Sequence, residues 1–108
     1  MGYFNLFKSE KNQEWYFNLK AGNHETILAS EGYKVKSSAE NGIESVKTNS
    51  LDDSKYERKE ARNGQFYFNL KATNGQIIGT SEMYVSTAGR DNGIESVKKN
   101  APDAEIKE

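Results

Sequence analysis

Apolar and polar residues alternate twice along this chain in nearly the same words. From position 15, Trp15, Phe17, Leu19 and Ala21 alternate with Tyr16, Asn18 and Lys20, a period of two that predicts a strand with one face on a core. The alternation returns as Phe66, Phe68, Leu70 and Ala72 against Tyr67, Asn69 and Lys71. Downstream of each strand the period lengthens. Ala39, Ile43 and Val46 fall on one helical stripe, with Glu40, Glu44 and Lys47 outside it, and Ile94 and Val97 make a second stripe. Asn63-Gly64 just before the second strand and Asn74-Gly75 just after it read as two-residue type I′ hairpins, in which both central residues want positive φ; Gly22-Asn23 is the counterpart in the first half. Those turns imply further strands near Tyr3 to Lys8, Thr26 to Ser30, Tyr56 to Glu60 and Ile77 to Ser81.

The two halves are copies of one unit of roughly 50 residues, offset by 51 positions. Tyr16-Phe17-Asn18-Leu19-Lys20-Ala21 recurs as Tyr67 to Ala72, Ser30-Glu31 and Tyr33 return as Ser81-Glu82 and Tyr84, and Asn41 to Lys47 recurs intact as Asn92 to Lys98. Ser37-Ser38-Ala39-Glu40 has the spacing of a capping box, and Ser86 or Thr87 is placed to cap the second helix. Asn49 and Asn100 mark the helix ends. Gly42 and Gly93 stand inside the helices, where glycine costs about 1 kcal/mol relative to alanine. Gly42 shares the apolar stripe, so the missing side chain is expected to admit a close approach of helix to sheet. After the helices, Ser54 to Glu57 and Asp103 to Glu108 correspond with a one-residue shift that puts Ile106 in the place of Tyr56, and both segments read as short strands closing the sheet.

Composition narrows the chemistry. There is no cysteine, which removes disulfides, thiolate metal sites and cysteine nucleophiles and points to a cytoplasmic protein. The first residues lack a signal-peptide pattern, and no apolar run approaches the roughly 20 residues that span a bilayer, so neither export nor a membrane is expected. Acidic and basic side chains nearly cancel, to a net charge of −1, and are interspersed; nucleic acid is therefore a disfavoured partner, short of a basic patch assembled in three dimensions.

With the Tyr-Phe-Asn-Leu-Lys-Ala block, the Ser-Glu-x-Tyr segment and the Asn-Gly-Ile-Glu-Ser-Val-Lys helix each present twice and in order, the chain resembles the YegP-like family of uncharacterised bacterial proteins. The resemblance runs from Gly2 to about Ala101. It implies a bacterial origin and a β(3)-α-β motif, assembled from tandem repeats or from two single-repeat subunits into one sheet with exchanged C-terminal strands. It implies no activity. The expected fold is thus α+β: a tandem duplication forming one mainly antiparallel sheet, with two helices on one face and pseudo-twofold symmetry. One compact domain spans residues 1–108, with repeats of about 2–53 and 54–108. Since the chain already holds both copies, a monomer is expected.

Candidate sites are few. His24 is the single histidine; its counterpart is Gly75, so a duplicated site does not contain it, and it reads as a solvated turn residue. No metal or cofactor site, phosphate-binding glycine loop or catalytic constellation is visible, and an enzyme is not expected. Helices on the face of Trp15, Phe17 and Leu19 would leave Tyr16, Asn18, Lys20, Tyr67, Asn69 and Lys71 projecting from the opposite face. Aromatic, amide and cationic groups there suit stacking and hydrogen bonding. The first functional expectation is a non-catalytic binding or interaction module that uses this face, or the groove between the copies, for a protein, peptide or small ligand. The alternative is a small-molecule binder or enzyme with a pocket on the pseudo-twofold axis built from Glu31, Tyr33, Glu82 and Tyr84. Low-affinity nucleic-acid binding is the weaker third.

Overall fold

Three antiparallel strands and a helix, then the same again and one last strand, make up the chain. The computed structural model describes residues 2–108. Its elements are β1 (Tyr3–Lys8), β2 (Trp15–Lys20), β3 (Thr26–Ala29), α1 (Lys36–Asn49), β4 (Tyr56–Glu60), β5 (Phe66–Lys71), β6 (Ile77–Thr80), α2 (Thr87–Asn100) and β7 (Glu105–Lys107). All seven strands form one sheet in the order β4-β5-β6-β3-β2-β1-β7. Each pairing is antiparallel except that of β1 with β7. The copies meet at β3 and β6, where Ala29 pairs with Thr80. These two residues are equivalent in the repeat, as a pseudo-twofold axis through the seam requires.

Period-two residues of the central strands supply the core. Phe4, Leu6, Phe17, Leu19, Leu28, Phe68 and Leu70 are fully buried or nearly so, and Ile43, Val46, Ile94 and Val97 seal them from the helices. At about 1.5–3 kcal/mol for each large apolar side chain removed from water, this layer is the main source of stability. Helix α1 lies over β2 and reaches β5 and β6 of the other copy, while α2 lies over β5 and reaches β3. Each helix therefore crosses the seam. Gly79 sits at its centre: a Cβ there would come within 2.6 Å of the Leu28 side chain. Leu28 and Gly79 are equivalent positions, and only one of them has room to be large.

The helical glycines have the packing role expected of them. A Cβ on Gly42 would lie 2.6 Å from the Tyr33 hydroxyl and 3.0 Å from Phe17, and on Gly93 it would overlap the Tyr84 ring. Tyr33 also stacks on Phe17, with ring centroids 6.2 Å apart. The helices end where expected, and the side-chain amides of Asn49 and Asn100 donate back to the Ser45 and Ser96 carbonyls at 2.8 Å.

Three local expectations need correction. The Ser37–Glu40 capping box does not form, because α1 begins at Lys36 with Val35 as its N-cap and no side-chain cap, leaving Ser37 inside the first turn. Ser86, the counterpart of Val35, does cap α2, its hydroxyl accepting from Gly89 N–H at 3.0 Å. The hairpins form, yet with one left-handed residue each. Gln13, His24, Gly64 and Gly75 have φ of 60°, 69°, 84° and 85°. The asparagine before each one, Asn12, Asn23, Asn63 or Asn74, accepts with its side-chain oxygen from the backbone N–H two residues on. Gly64 N–H also closes on the Ala61 carbonyl. A type I turn followed by a left-handed residue is the longer hairpin design, and only that last residue needs positive φ. Finally, Ile106 does not take Tyr56's place. Tyr56 is buried beside β5 with its hydroxyl donating to the Ser50 carbonyl at 2.7 Å, whereas Ile106 is 41% exposed at the sheet's rim. The position next to β2 is already held by β1, so β7 adds outside it.

Replacing Gly42 by alanine tests the glycine account. Helix propensity alone favours the change by about 1 kcal/mol, but the overpacked site should leave the protein less stable by about 1–2 kcal/mol. Adding Tyr33→Phe, which withdraws the colliding hydroxyl, should recover much of that loss in urea unfolding. Additive effects of the two changes would mean that Tyr33 is not what the glycine accommodates.

Candidate functional site

Both helices pack on one side of the sheet, so the other side carries the alternate residues of each strand. Tyr16, Asn18 and Lys20 project there from β2, and Tyr67, Asn69 and Lys71 from β5, as their alternation with the buried Phe17, Leu19, Phe68 and Leu70 requires. Tyr3, Asn5 and Phe7 extend the surface along β1, and Glu57 and Lys59 along β4. Phe7 stacks on Tyr16 with ring centroids 5.9 Å apart and 19° between planes, and the Tyr16 hydroxyl accepts from the Asn12 side-chain amide at 2.8 Å. Tyr3 shares a 2.9 Å hydrogen bond with His24 Nδ1 and lies 4.7 Å beneath Lys107 Nζ.

The two halves of this face use the same residue types differently. In the second copy, Asn69 Nδ2 donates to Glu57 Oε1 at 3.0 Å, Lys71 Nζ lies 3.2 Å from Glu57 Oε2, and the Thr80 hydroxyl donates to Asn69 Oδ1 at 2.8 Å. Asn69 is buried as a result. The hydrogen bond from Asn69, reinforced by Lys71, holds the Glu57 carboxyl below its ordinary pKa. In the first copy, Asn5 takes Glu57's place opposite the asparagine, and Ala29 takes that of Thr80. Among the described residues, Asn18 and Lys20 therefore have no side-chain hydrogen bond or ion pair, and both are half-buried on the sheet.

The four residues of the expected axial pocket are not brought together. Because Ala29 pairs with Thr80 in antiparallel sense, Glu31 and Tyr33 run on toward one end of the seam, and Glu82 and Tyr84 toward the other. At about 3.3 Å per residue, Glu31 and Glu82 are separated by roughly 13 Å along the strands. Glu31 and Tyr33 instead border a depression of about 410 Å³ with Gly75, Gln76, Ile77 and Ile78. Tyr33 and Tyr84 are packing residues for the helix glycines, and burial, with Glu31 and Glu82 respectively next in effect, pushes both phenols above their ordinary pKa. His24 is a turn residue, as expected, bonded to Tyr3.

Two features escaped the sequence reading. The hydroxyls of Ser30 and Ser81 accept from the Phe17 and Phe68 amides at 2.9 and 3.0 Å and donate to the Glu31 and Glu82 carbonyls. They carry the ladder past the point where the chain leaves β3 and β6 and before it returns to pair Tyr33 with Trp15 and Tyr84 with Phe66. The recurrence of Ser30-Glu31 as Ser81-Glu82 was the available signal. The second feature is a cleft of about 570 Å³ between the β2–β3 turn and α2, lined by Gly22, Asn23, Asn92, Glu95, Lys99 and Asp103 among others. Its walls come from three separated segments and had no sequence signature. Among the described residues, no cluster of three or more His, Asp or Glu side chains could hold a metal, and no helix is long and apolar enough to cross a membrane.

Comparison with known proteins gives matches over both copies. The family described as Domain of unknown function (DUF1508) matches twice, at residues 10–57 and 61–108. Each match takes in two strands, a helix and at least the start of the strand that follows, so the closing strand of the first match, β4, pairs with β5 of the second. The chain is 55% identical over 107 residues to the UPF0339 protein of the ptx operon 5′ region of Stutzerimonas stutzeri, covering 99% of this chain and 96% of that one. The same figures describe its similarity to the UPF0339 protein YegP of Escherichia coli K12. The solution NMR structure of a UPF0339 protein from Shewanella oneidensis superposes with a TM-score of 0.92 at 57% identity, over 98% of this chain and 89% of that one. That of yegP from E. coli, described as a protein of unknown function, gives 0.93 at 54% identity, over 98% and 90%.

The Glu57 cluster makes a prediction about pH. Its folded pKa lies below the unfolded value, so its contribution to stability is present above the ordinary carboxylate range and is lost as pH falls through the folded pKa. Glu57→Gln should therefore show a smaller fall in urea midpoint between pH 6 and pH 3 than the parent. Parallel pH profiles for the two proteins would show that the cluster does not hold this carboxylate.

Proposed function

The chain belongs to the DUF1508 family of domains of unknown function, and on that footing we propose that it is a non-catalytic binding module whose site is the first-copy half of the open sheet face. The observation that carries this reading is the contrast between Asn18 with Lys20 and Asn69 with Lys71. The second pair is consumed by Glu57 and Thr80 and explained by sheet stability alone. The first pair keeps the same side chains on the same face without a side-chain partner among the described residues. Beside it stand the Phe7–Tyr16 stack and Tyr3, which add apolar area with polar edges. Such a surface has the flat aromatic anchors and spare hydrogen-bonding groups that recognition uses. In this reading the protein acts as a monomer in the cytoplasm.

Acid/base chemistry has less support. Tyr33 and Tyr84 are held neutral by burial and pack against glycines, and Glu31 and Glu82 stand at opposite ends of the seam. A binding role asks for none of these groups to titrate.

Paired alanine substitutions separate the two halves of the face. Asn18→Ala with Lys20→Ala should abolish capture of a host partner on immobilised protein and leave stability within about 0.5 kcal/mol of the parent. Asn69→Ala with Lys71→Ala should instead lower the thermal midpoint by several degrees. Capture that survives the first pair of changes would move the site elsewhere.

A further inference from the structure

Resting on that reading of the open face, we infer that the ligand it takes is single-stranded nucleic acid. Charges that cancel along the sequence are separated by the fold. On the helix side, two cations are spent in pairs: Arg58 lies 3.0 Å from Asp53 and 3.5 Å from Asp91, and Lys98 lies 3.0 Å from Asp53 and 3.2 Å from Glu95. The strands present Lys20, Lys59, Lys71 and Lys107 on the open face against Glu57 and Glu105. Of these lysines only Lys71 is held in an ion pair among the described residues. With Glu14 beside the Tyr16 hydroxyl, four lysines face three carboxylates, so a chain of net charge −1 carries a slightly positive sheet face.

The same surface offers stacking. Tyr3, Phe7 and Tyr16 line adjacent strands β1 and β2, with Lys20 at one end of β2 and Lys107 against Tyr3. Lysines spaced among aromatic rings on an open sheet meet the two needs of an unpaired strand, neutralised phosphates and platforms for its bases. Asn5 and Asn18 face each other between the rings, where their amides can meet base edges. An acidic peptide would use the lysines and leave the rings idle. A duplex would keep its bases stacked internally and leave them idle too.

Fluorescence anisotropy with a labelled twelve-residue oligothymidine and its oligouridine counterpart, in 50 mM salt, tests the assignment. Both should bind. Three unpaired lysines on a single strand give a log–log salt slope of about −2, so affinity should fall roughly fifteenfold between 50 and 200 mM. Lys20→Gln should reduce the slope by about 0.7. Tyr16→Leu, shown by its circular dichroism spectrum to be folded, should weaken binding about fivefold or more with the slope unchanged. Lys99→Gln, on the helix side, should bind as the parent does. Absence of binding at 50 mM salt, or a Tyr16→Leu variant at parental affinity with polyglutamate competing as well as the oligonucleotide, overturns the proposal. If the oligonucleotides do not bind while Asn18→Ala with Lys20→Ala still abolishes partner capture, the ligand class is wrong and the face stands. If that pair of changes also leaves capture intact, the face falls with it.

Discussion

Leu28 lies across the seam of the sheet in space that its own repeat counterpart, Gly79, leaves open. Around that contact β3 pairs with β6 through Ala29 and Thr80, and each helix reaches over the seam to a strand of the other copy. The arrangement joins the strands of both copies into one seven-stranded layer with a continuous core. A strictly symmetric seam would carry leucine twice or glycine twice, overfilling the centre in the first case and leaving a void in the second. Having both copies in one chain permits the unequal pair.

The freedom to be unequal extends outward from the seam. On the open face, Glu57 and Thr80 draw Asn69 and Lys71 into a cluster that braces β4, β5 and β6, while Asn5 and Ala29 at the equivalent places leave Asn18 and Lys20 uncommitted. One half of the surface supports the sheet, and in the proposed reading the other half meets the ligand. At the rim, β7 pairs with β1 and Glu108 reaches Lys36 at 2.7 Å, which lies 5.6 Å from the centre of the Trp15 ring. The last strand thereby ties the second copy's end to the start of the first helix.

Much of this was legible from residues alone, because period, turn asparagines and the duplication act locally or repeat. The central strands, both helices and their ends, and the packing reason for Gly42 and Gly93 followed from such signals. What was not legible depended on three-dimensional competition. Ser37 and Glu40 have capping spacing, yet the helix starts two residues earlier, behind Val35. Asn63-Gly64 suits a two-residue turn, but the chain closes a longer one in which only glycine is left-handed. The axial pocket failed because repeated residues at a twofold seam run away from each other once the strands are antiparallel. Which cations find acids was also invisible in a nearly neutral chain, since Arg58 and Lys98 meet Asp53 only in the folded structure.

The division of the face depends on Asn69 being bound within the fold while Asn18 has no side-chain partner among the described residues. Side-chain amide hydrogen exchange, read by NMR on the unliganded protein, measures that difference at the atoms concerned. The Asn69 amide should exchange measurably more slowly than that of Asn18 and lose its protection in Glu57→Ala, which removes the acceptor, with Asn18 unaffected. Equal protection of the two amides, or protection of Asn69 that ignores Glu57, would contradict the division of the face into a structural half and a binding half.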